Sequence, residues 1–561
     1  MEKIANPLSF KSRSLNHPRN AFDLSQHHYF TSPAGLVKPC FVMDVQPGDY
    51  VKFGENHFTR TMPVNTAAYC RLQEETQFFY VPYRLVYRWF DQIITNVDDV
   101  NTSLNLRTHN PEAPIAATSL PFVKGSTICE ALLGVVFEDE YVDRFGYDVG
   151  NYFHRILDML GYPVKPSISE TAELYRTILA DTHFSVMRIF GFFRVLHDYY
   201  RNSDYDSNDP QSYNIDNFSS GEEIPAQYFS NCLFNNSKYF YRLWNRDAFT
   251  SVKPSTNYIT QIGAHATPSP LVTNILNNFY PDVNGTSSSI GNDGTGYSGI
   301  TAQQIRGMFA LDKLTRLSML APKTYRGQLL AHFGVDVSKC DYCSTRYLGG
   351  SRSNINIGEV IGTAAGTAQV GSSSSSSVLG QIAGKGVSSG SGSMFSFESK
   401  EHGMIIGVHC VVPSAEYSTN RIDLFNLKFS RSHFYVPEYD ALGMQPLMAG
   451  QIKIDVNDSI TDTTLVTGYQ NRYIEYKTAV DSVHGQFQKG GSLSPWAIPR
   501  NDVLGKRWTY DYNALRVSPN IVDPIFPVVY NGTELTDSFL CHYSYNVVKV
   551  SNMSVDGIPS L

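Results

Sequence analysis

The feature that most constrains the fold is an apolar run in the last third of the chain. Met404 to Val412 is nearly all apolar. A strand covered on both faces shows such a run, whereas a strand with one solvated face alternates polar and apolar residues. Pro413 then ends any regular ladder, because proline has no amide hydrogen to donate. The sequence therefore predicts a buried central strand here.

Other segments alternate with a period of two, which is typical of strands with one buried face. Phe425, Leu427 and Phe429 do so after a polar link, and we predict a half-exposed strand for them. The same pattern, or a long extended run, occurs near both ends of the chain: Val51 and Phe53 after the turn signal Pro47-Gly48-Asp49, Tyr69 to Val81 before Pro82, and Tyr543, Tyr545 and Val547. Strands are thus expected from both ends of the sequence.

Helical spacing occurs mainly between these two strand-rich parts. It predicts helices at 85–94, 151–160 and 184–200, and a shorter helix after Pro322 that ends before Gly334. The third segment is rich in Phe and Tyr, which indicates core or subunit contact rather than a cofactor site.

Composition restricts the function. Charged residues make up 17% of the chain, against about 25% in an average soluble protein, and 13% are aromatic. This suits a protein that buries surface against neighbours, or one large β-domain with a big core. The net charge of −7 argues against wholesale electrostatic binding of nucleic acid but permits a local basic face.

No targeting, membrane or catalytic motif stands out. The first residues lack an apolar signal segment, no run of 18 apolar residues occurs, and the eight cysteines are scattered as expected of reduced thiols. Cys340 and Cys343 lack the further ligands of a zinc site. Glu74 and Glu75 face opposite sides of a strand and are expected to be solvated. We expect no enzyme activity, no metal, no cofactor and no membrane insertion.

Short motifs in a fixed order resemble the major capsid proteins of Microviridae, the small icosahedral single-stranded DNA phages, in the gokushovirus-like and alpavirus-like branch. The motifs are Phe78 to Leu85, Trp244 to Ser251, His332-Phe333-Gly334, Tyr347 to Ser351, Glu401-His402-Gly403, Ile405-Ile406-Gly407, and Leu442-Gly443 with Gln445-Pro446. The resemblance thins across 97–300 and 477–535. It implies a jelly-roll subunit that forms pentamers and then a sixty-copy T=1 shell around circular single-stranded DNA. It also implies assembly in a bacterial cytoplasm with other virion and scaffolding-type proteins.

The expected fold is therefore mainly β, an eight-stranded antiparallel jelly roll with long, partly helical insertions. Residues 1–96 supply an N-terminal arm and the first strands, 97–394 the insertions, and 395–561 the last strands and tail. Within the insertions, 253–300 is expected to be a projecting surface loop and 358–393 an irregular Gly/Ser-rich tether.

Two segments are candidates for binding. Lys11, Arg13 and Arg19 form a basic arm suited to DNA phosphates, although such termini are more often solvated tails. The loop 253–300 carries aromatic residues among small polar ones, a composition typical of recognition surfaces, and we expect it to contact a bacterial surface receptor. Its aromatic residues are Tyr258, Phe279, Tyr280 and Tyr297. The alternative is a β-sandwich protein that binds or hydrolyses glycans, which would normally bring a signal peptide and a carboxylate pair.

Overall fold

A computed structural model of the chain describes most of its residues. The described ranges are 19–64, 68–95, 119–137, 148–254, 321–336, 344–361, 382–440, 443–454, 465–500, 515–526 and 537–555, with shorter pieces between them.

The secondary-structure elements are numbered in chain order. The β-strands are β1 Asn20–Asp23, β2 Gln26–Ser32, β3 Lys38–Val45, β4 Tyr50–Thr61, β5 Leu72–Pro82, β6 Phe122–Lys124, β7 His183–Ser185, β8 Arg346–Ile361, β9 Thr367–Val370, β10 Ser373–Ser376, β11 Ile382–Glu398, β12 Gly403–Pro413, β13 Tyr417–Ser418, β14 Met444–Met448, β15 Val466–Asn471, β16 Ser482–Val483, β17 Val529–Tyr530, β18 Thr533–Glu534 and β19 Phe539–Ser551. The α-helices are α1 Phe90–Thr95, α2 Gly125–Leu133, α3 Val149–Met159, α4 Ile168–Thr177, α5 Met187–Val195, α6 Ala226–Ser237, α7 Tyr325–Phe333, α8 Pro437–Asp440 and α9 Ile474–Lys477.

Within the described residues, nine strands form one antiparallel sheet. Their order is β1, β19, β4, β11, β8, β5, β12 and β3, with β2 also paired to β19. The sheet curls until its two ends meet, since the Tyr545 hydroxyl on β19 donates to the Cys40 carbonyl on β3 (3.1 Å). The predicted fold, mainly β and of the jelly-roll type with helical insertions, is confirmed. The curled sheet has nine strands rather than the eight expected.

Strand β12 is the predicted central strand, and all eleven of its residues are buried. It lies between β3 and β5. Gly407 is required on its inner face, because a Cβ there would lie 2.6 Å from the Phe78 ring and 2.9 Å from Cβ of Phe41. The other predicted strands are also present: β4 carries buried Val51 and Phe53, and the inward side chains of β19 are buried.

The helical insertion covers the outer face of this central strand. Helix α5 packs on β5 and β12, and Gly191 allows the close approach, because a Cβ there would meet Met404 at 2.8 Å. Its aromatic residues are fully buried, which confirms them as core: Phe190, Phe192 and Phe193. Helix α3 matches the predicted 151–160, and a π-helical turn at Leu196–Tyr200 extends α5 over the predicted range. The helix predicted at 85–94 is shorter, with a 3-10 turn at Tyr83–Leu85 before α1.

The strand predicted at Phe425 to Phe429 is wrong. Leu424–Leu427 forms a 3-10 turn, because the Asp423 carboxylate accepts the Phe425 amide hydrogen (2.9 Å) and caps the turn. The alternating apolar side chains are exposed instead of buried, and Phe429 is 83% exposed.

The Gly/Ser-rich segment 358–393 also differs from its expectation. Where an irregular tether was expected, β8 and β11 extend into it and pair with each other from Ile382 to Val387. Strand β4 approaches this segment closely, because a Cβ at Gly386 would lie 2.5 Å from the Thr61 side chain. A role of this segment between subunits stays a prediction.

A buried ion-pair group joins the helical insertion to the sheet. Asp537, just before β19, lies 3.6 Å from Lys38 Nζ on β3 and 2.7 Å from Arg155 Nη1 on α3, and accepts from the Thr31 hydroxyl (2.6 Å). Burial would raise the pKa of Asp537, but the charges of Lys38 and Arg155 outweigh it and hold the pKa below its ordinary 3.8.

We predict that Asp537→Asn lowers the free energy of unfolding of the subunit by about 3 kcal/mol at pH 7, because it leaves buried Lys38 without its counter-charge. A carboxyl group whose pKa is lower in the folded state than in the unfolded state stabilises the fold at pH values above its unfolded-state pKa. This stabilisation is lost as the pH falls through the folded-state pKa. The difference in the free energy of unfolding between Asp537→Asn and the natural chain should therefore become smaller below pH 3.8.

Urea unfolding of both chains at pH 7 and pH 3 measures this difference. Asp481→Asn is the matched control, because Asp481 pairs with Arg71 at an exposed position and should matter little. Equal losses of unfolding free energy from the two substitutions at pH 7 would contradict a stabilising role for the buried Asp537 carboxylate.

Candidate functional site

The first candidate site is a group of exposed aromatic and apolar side chains in the C-terminal third, here called the aromatic surface. Its members are Phe425, Leu427, Phe429, Phe434, Tyr435, Tyr439 and Tyr476. Ring contacts connect part of the group: the ring centres of Phe425 and Tyr476 are 5.2 Å apart, and those of Tyr435 and Tyr476 are 6.2 Å apart. Monomeric proteins rarely expose large contiguous apolar patches, and such patches mark interaction sites.

Polar contacts hold this surface in one conformation. Lys428 Nζ lies 3.7 Å from the centre of the Tyr476 ring and 2.8 Å from Glu475 Oε1. Burial would raise the pKa of Glu475, but the hydrogen bond from Lys428 outweighs it, and the pKa lies below its ordinary value. Gln445 donates to the other carboxylate oxygen of Glu475 (3.1 Å). These contacts already order the aromatic surface in the single subunit, which lowers the entropic cost of association.

The backbone at Tyr473 adds a strained element to the same surface. Its φ of 57° is the only positive value at a non-glycine residue in the described part of the chain, and its amide donates to the Gln445 side chain (2.8 Å). Such conformations cost about 1–3 kcal/mol and are concentrated at functional sites. Tyr473 also lines a shallow depression of about 320 Å³ beside Tyr435 and Tyr476, large enough to accept a side chain of a partner.

A second set of exposed apolar side chains, here called the helical surface, comes from α7 and from residues before and after it in the chain. Its members are Phe309, Leu311, Leu314, Tyr325, Leu330, Phe333 and Val335. The helix ends before Gly334, as predicted. Thr324 caps its start by accepting from the Gly327 amide, and Gly334 has the left-handed conformation. None of the nine residues of α7 is buried. Because a short helix gains most of its stability from packing, this one is expected to need a partner surface.

The inside of the curled sheet holds a buried polar cluster, contributed by four strands. Glu74 Oε1 on β5 accepts from the hydroxyls of Thr59 and Tyr543 (both 2.6 Å) and lies 3.0 Å from His409 Nε2. Burial would raise the pKa of Glu74, but the hydrogen bond and charge of His409 and the two hydroxyls outweigh it and lower the pKa to about 2.

The expectation that Glu74 and Glu75 are solvated is wrong. They do face opposite sides of β5, but both sides are covered: Glu75 pairs with Arg242 (3.2 Å) and with Arg352 (2.5 Å) under the helical insertion. No local sequence pattern distinguishes a solvated carboxylate from one that pairs with a basic residue more than a hundred residues away.

The residues predicted to bind DNA or a receptor are mostly outside the described part of the chain. Of the basic arm, Arg19 is described, and its guanidinium donates to the Gly48 carbonyl at the β3–β4 turn. Lys11 and Arg13 lie outside the described residues, as do Cys340, Cys343 and the four loop aromatics Tyr258, Phe279, Tyr280 and Tyr297. Their roles stay predictions.

A curled sheet of the jelly-roll type places the chain among the β-proteins that include viral capsid subunits, lectins and cupins. The chain belongs to the phage capsid protein family described as "Capsid protein (F protein)", whose model matches residues 11–131 and 194–561. It is also 23% identical to the capsid protein VP1 of Chlamydia phage 1, across 97% of this chain and 96% of that protein. The resemblance to Microviridae capsid proteins is thereby confirmed.

This membership decides between the two hypotheses drawn from the sequence. The protein is a structural, non-enzymatic component of a virion that assembles with itself into a shell. In the described part of the chain, no helix combines the length and the apolar character needed to cross a bilayer.

Proposed function

We propose that the chain forms a closed T=1 shell of sixty copies, by way of pentamers, around a circular single-stranded DNA genome. The observation that carries the proposal is the pair of preformed apolar surfaces on a capsid-family subunit. Aromatic residues are enriched in the buried centres of protein interfaces, whereas a monomer gains nothing by exposing them. The low content of charged residues agrees with this use of the surface.

Contact with the genome is assigned to the basic arm. Residues 1–20 carry four basic residues and one acidic residue in a chain whose net charge is −7, so any attraction to phosphate is local. The hydrogen bond from Arg19 to the Gly48 carbonyl fixes the point at which the arm leaves the sheet. Lys11 and Arg13 then supply contacts that are independent of base sequence.

Host attachment is assigned to the loop 253–300. Before it, Lys253 pairs with Tyr469 through two backbone hydrogen bonds of 2.8 and 2.9 Å, so the loop starts from a fixed position. A bacterial surface receptor is its proposed partner, because Tyr among small polar residues makes an adaptable contact surface. Other virion and scaffolding-type proteins are proposed to take part in assembly, which takes place in the bacterial cytoplasm.

We predict that Phe429→Asp abolishes shells while the subunit still folds. Phe429 is 83% exposed, so its loss removes little from the core, but an unpaired carboxylate at a subunit contact is costly. Sedimentation and electron microscopy of chains produced with the viral partner proteins should show at least about a tenfold loss of particles.

The matched control is Ile178→Asp, which places the same charge at a 75% exposed residue outside both surfaces. Normal particle yield from Phe429→Asp, with normal thermal unfolding, would remove the aromatic surface from assembly.

The arm is tested by changing Lys11, Arg13 and Arg19 to Gln. Each lost phosphate contact should reduce the salt dependence of DNA binding by roughly one unit of slope, so particles should hold less DNA or release it at lower salt. The control changes three exposed basic residues elsewhere, Lys165, Arg176 and Lys400, to Gln. Unchanged DNA content and salt tolerance in the arm variant would leave the arm as a solvated tail.

The loop is tested by replacing residues 255–300 with a short Gly-Ser link, which keeps the Lys253–Tyr469 pairing. Particles should form normally but adsorb less to host cells, because long loops are lengthened or shortened at little cost to a scaffold. A second variant changes only Tyr258, Phe279, Tyr280 and Tyr297 to Ser and should show the same loss of adsorption. Failure to assemble would make the loop structural, and normal adsorption would make it a spacer.

A further inference from the structure

We propose that Glu74, His409 and Cys541 bind a zinc ion inside the curled sheet. The three side chains come from β5, β12 and β19, and one ligand atom of each lies within 4.8 Å of the other two. His409 Nε2 is 3.0 Å from Glu74 Oε1 and 3.8 Å from Cys541 Sγ. Zinc bonds to nitrogen, oxygen and sulfur are about 2.0–2.3 Å long, so a tetrahedral site separates its ligand atoms by about 3.3–3.7 Å. Side-chain shifts of about 1 Å or less reach this geometry from separations of at most 4.8 Å.

The ligand types also match zinc. Imidazole, carboxylate and thiolate together suit this borderline-soft ion better than magnesium or calcium, which prefer oxygen ligands only. The reduced cysteines expected of this chain leave the thiol available. On binding, zinc replaces the thiol proton of Cys541, which is released to solvent. No electron is transferred.

An unpartnered polar atom points to a missing ligand. Glu74 Oε2 is buried and has no hydrogen-bond partner among the described residues, whereas Oε1 already has Thr59, Tyr543 and His409. The two hydroxyls orient the carboxylate, as partners of metal ligands commonly do. The fourth zinc position is left to a water molecule or to His57, whose Nε2 is 4.0 Å from Oε2.

Charge balance is compatible with the ion. Glu74 and Cys541 are only 2% and 4% exposed, so a thiolate beside the carboxylate would need a cation within the site. One Zn²⁺ with one carboxylate, one thiolate and a neutral imidazole has no net charge. The alternative, an ion-free hydrogen-bond network, accounts for Glu74 Oε1 and for the contact of the Cys541 thiol with His409, but it leaves Glu74 Oε2 without a hydrogen-bond partner in the described part of the chain.

The position of the site gives it a structural role. Strand β19 and strand β12 lie on opposite walls of the curled sheet, so an ion held by both joins the walls. Because the site is closed, zinc binds as the subunit folds, and its binding free energy adds to the stability of the subunit.

The test measures zinc in the purified full-length chain by plasma mass spectrometry after washing with a mild chelator. We expect about one zinc per chain, with a zinc-edge X-ray absorption spectrum that shows one sulfur ligand among nitrogen and oxygen. Cys541→Ser should lose the zinc. Cys129→Ser, a change at a buried cysteine on α2 outside the cluster, should keep it.

Cobalt substitution gives a second measurement. The natural chain refolded with Co²⁺ should show the sulfur-to-cobalt charge-transfer band, and the Cys541→Ser chain should lack it. Zinc far below one per chain in the natural protein, or a metal spectrum without sulfur, would overturn the proposal even if the variants fail to fold. Retention of zinc by Cys541→Ser would overturn it as well.

Discussion

The fold depends on covering both faces of one strand. β12 has no exposed residue, so it needs an inner cover and an outer one. The curled sheet supplies the first, where Tyr545 of β19 reaches β3, and helix α5 supplies the second. Gly407 and Gly191 each allow a close approach, one on each face of β12. The helical insertion is therefore a necessary layer of the core, because it covers the outer face of β12.

Sequence patterns predicted what depends on local periodicity. The buried run at β12, the alternation in β4 and β19, and the helix that ends at Gly334 follow from side-chain spacing and caps, and all are present. The family motifs added the jelly roll and the capsid function. Long-range pairing was not predictable: the basic partners of Glu74 and Glu75 are set by the fold, and β11 forms a strand because β4 and β8 flank it.

The error at Phe425 to Phe429 shows why the aromatic surface escaped prediction. A period of two says that one side of a segment is apolar, but not whether this chain or a neighbour covers it. The Asp423 cap was the local signal for a turn. In the turn, the apolar side chains face outward, and the Phe425 ring contacts the Tyr476 ring and the Lys428 ammonium group. The core and the aromatic surface are thus both built from apolar and aromatic side chains. They differ in whether this chain covers those side chains.

The two exposed apolar surfaces are expected to be fully covered only within a shell. Cryo-electron microscopy of particles purified from infected cells measures this directly. We expect a closed icosahedral shell of sixty copies in which the aromatic surface, Phe429 included, is buried against a neighbouring subunit. A shell with this surface facing solvent, or a protein that remains a monomer when produced with its viral partners, would contradict it.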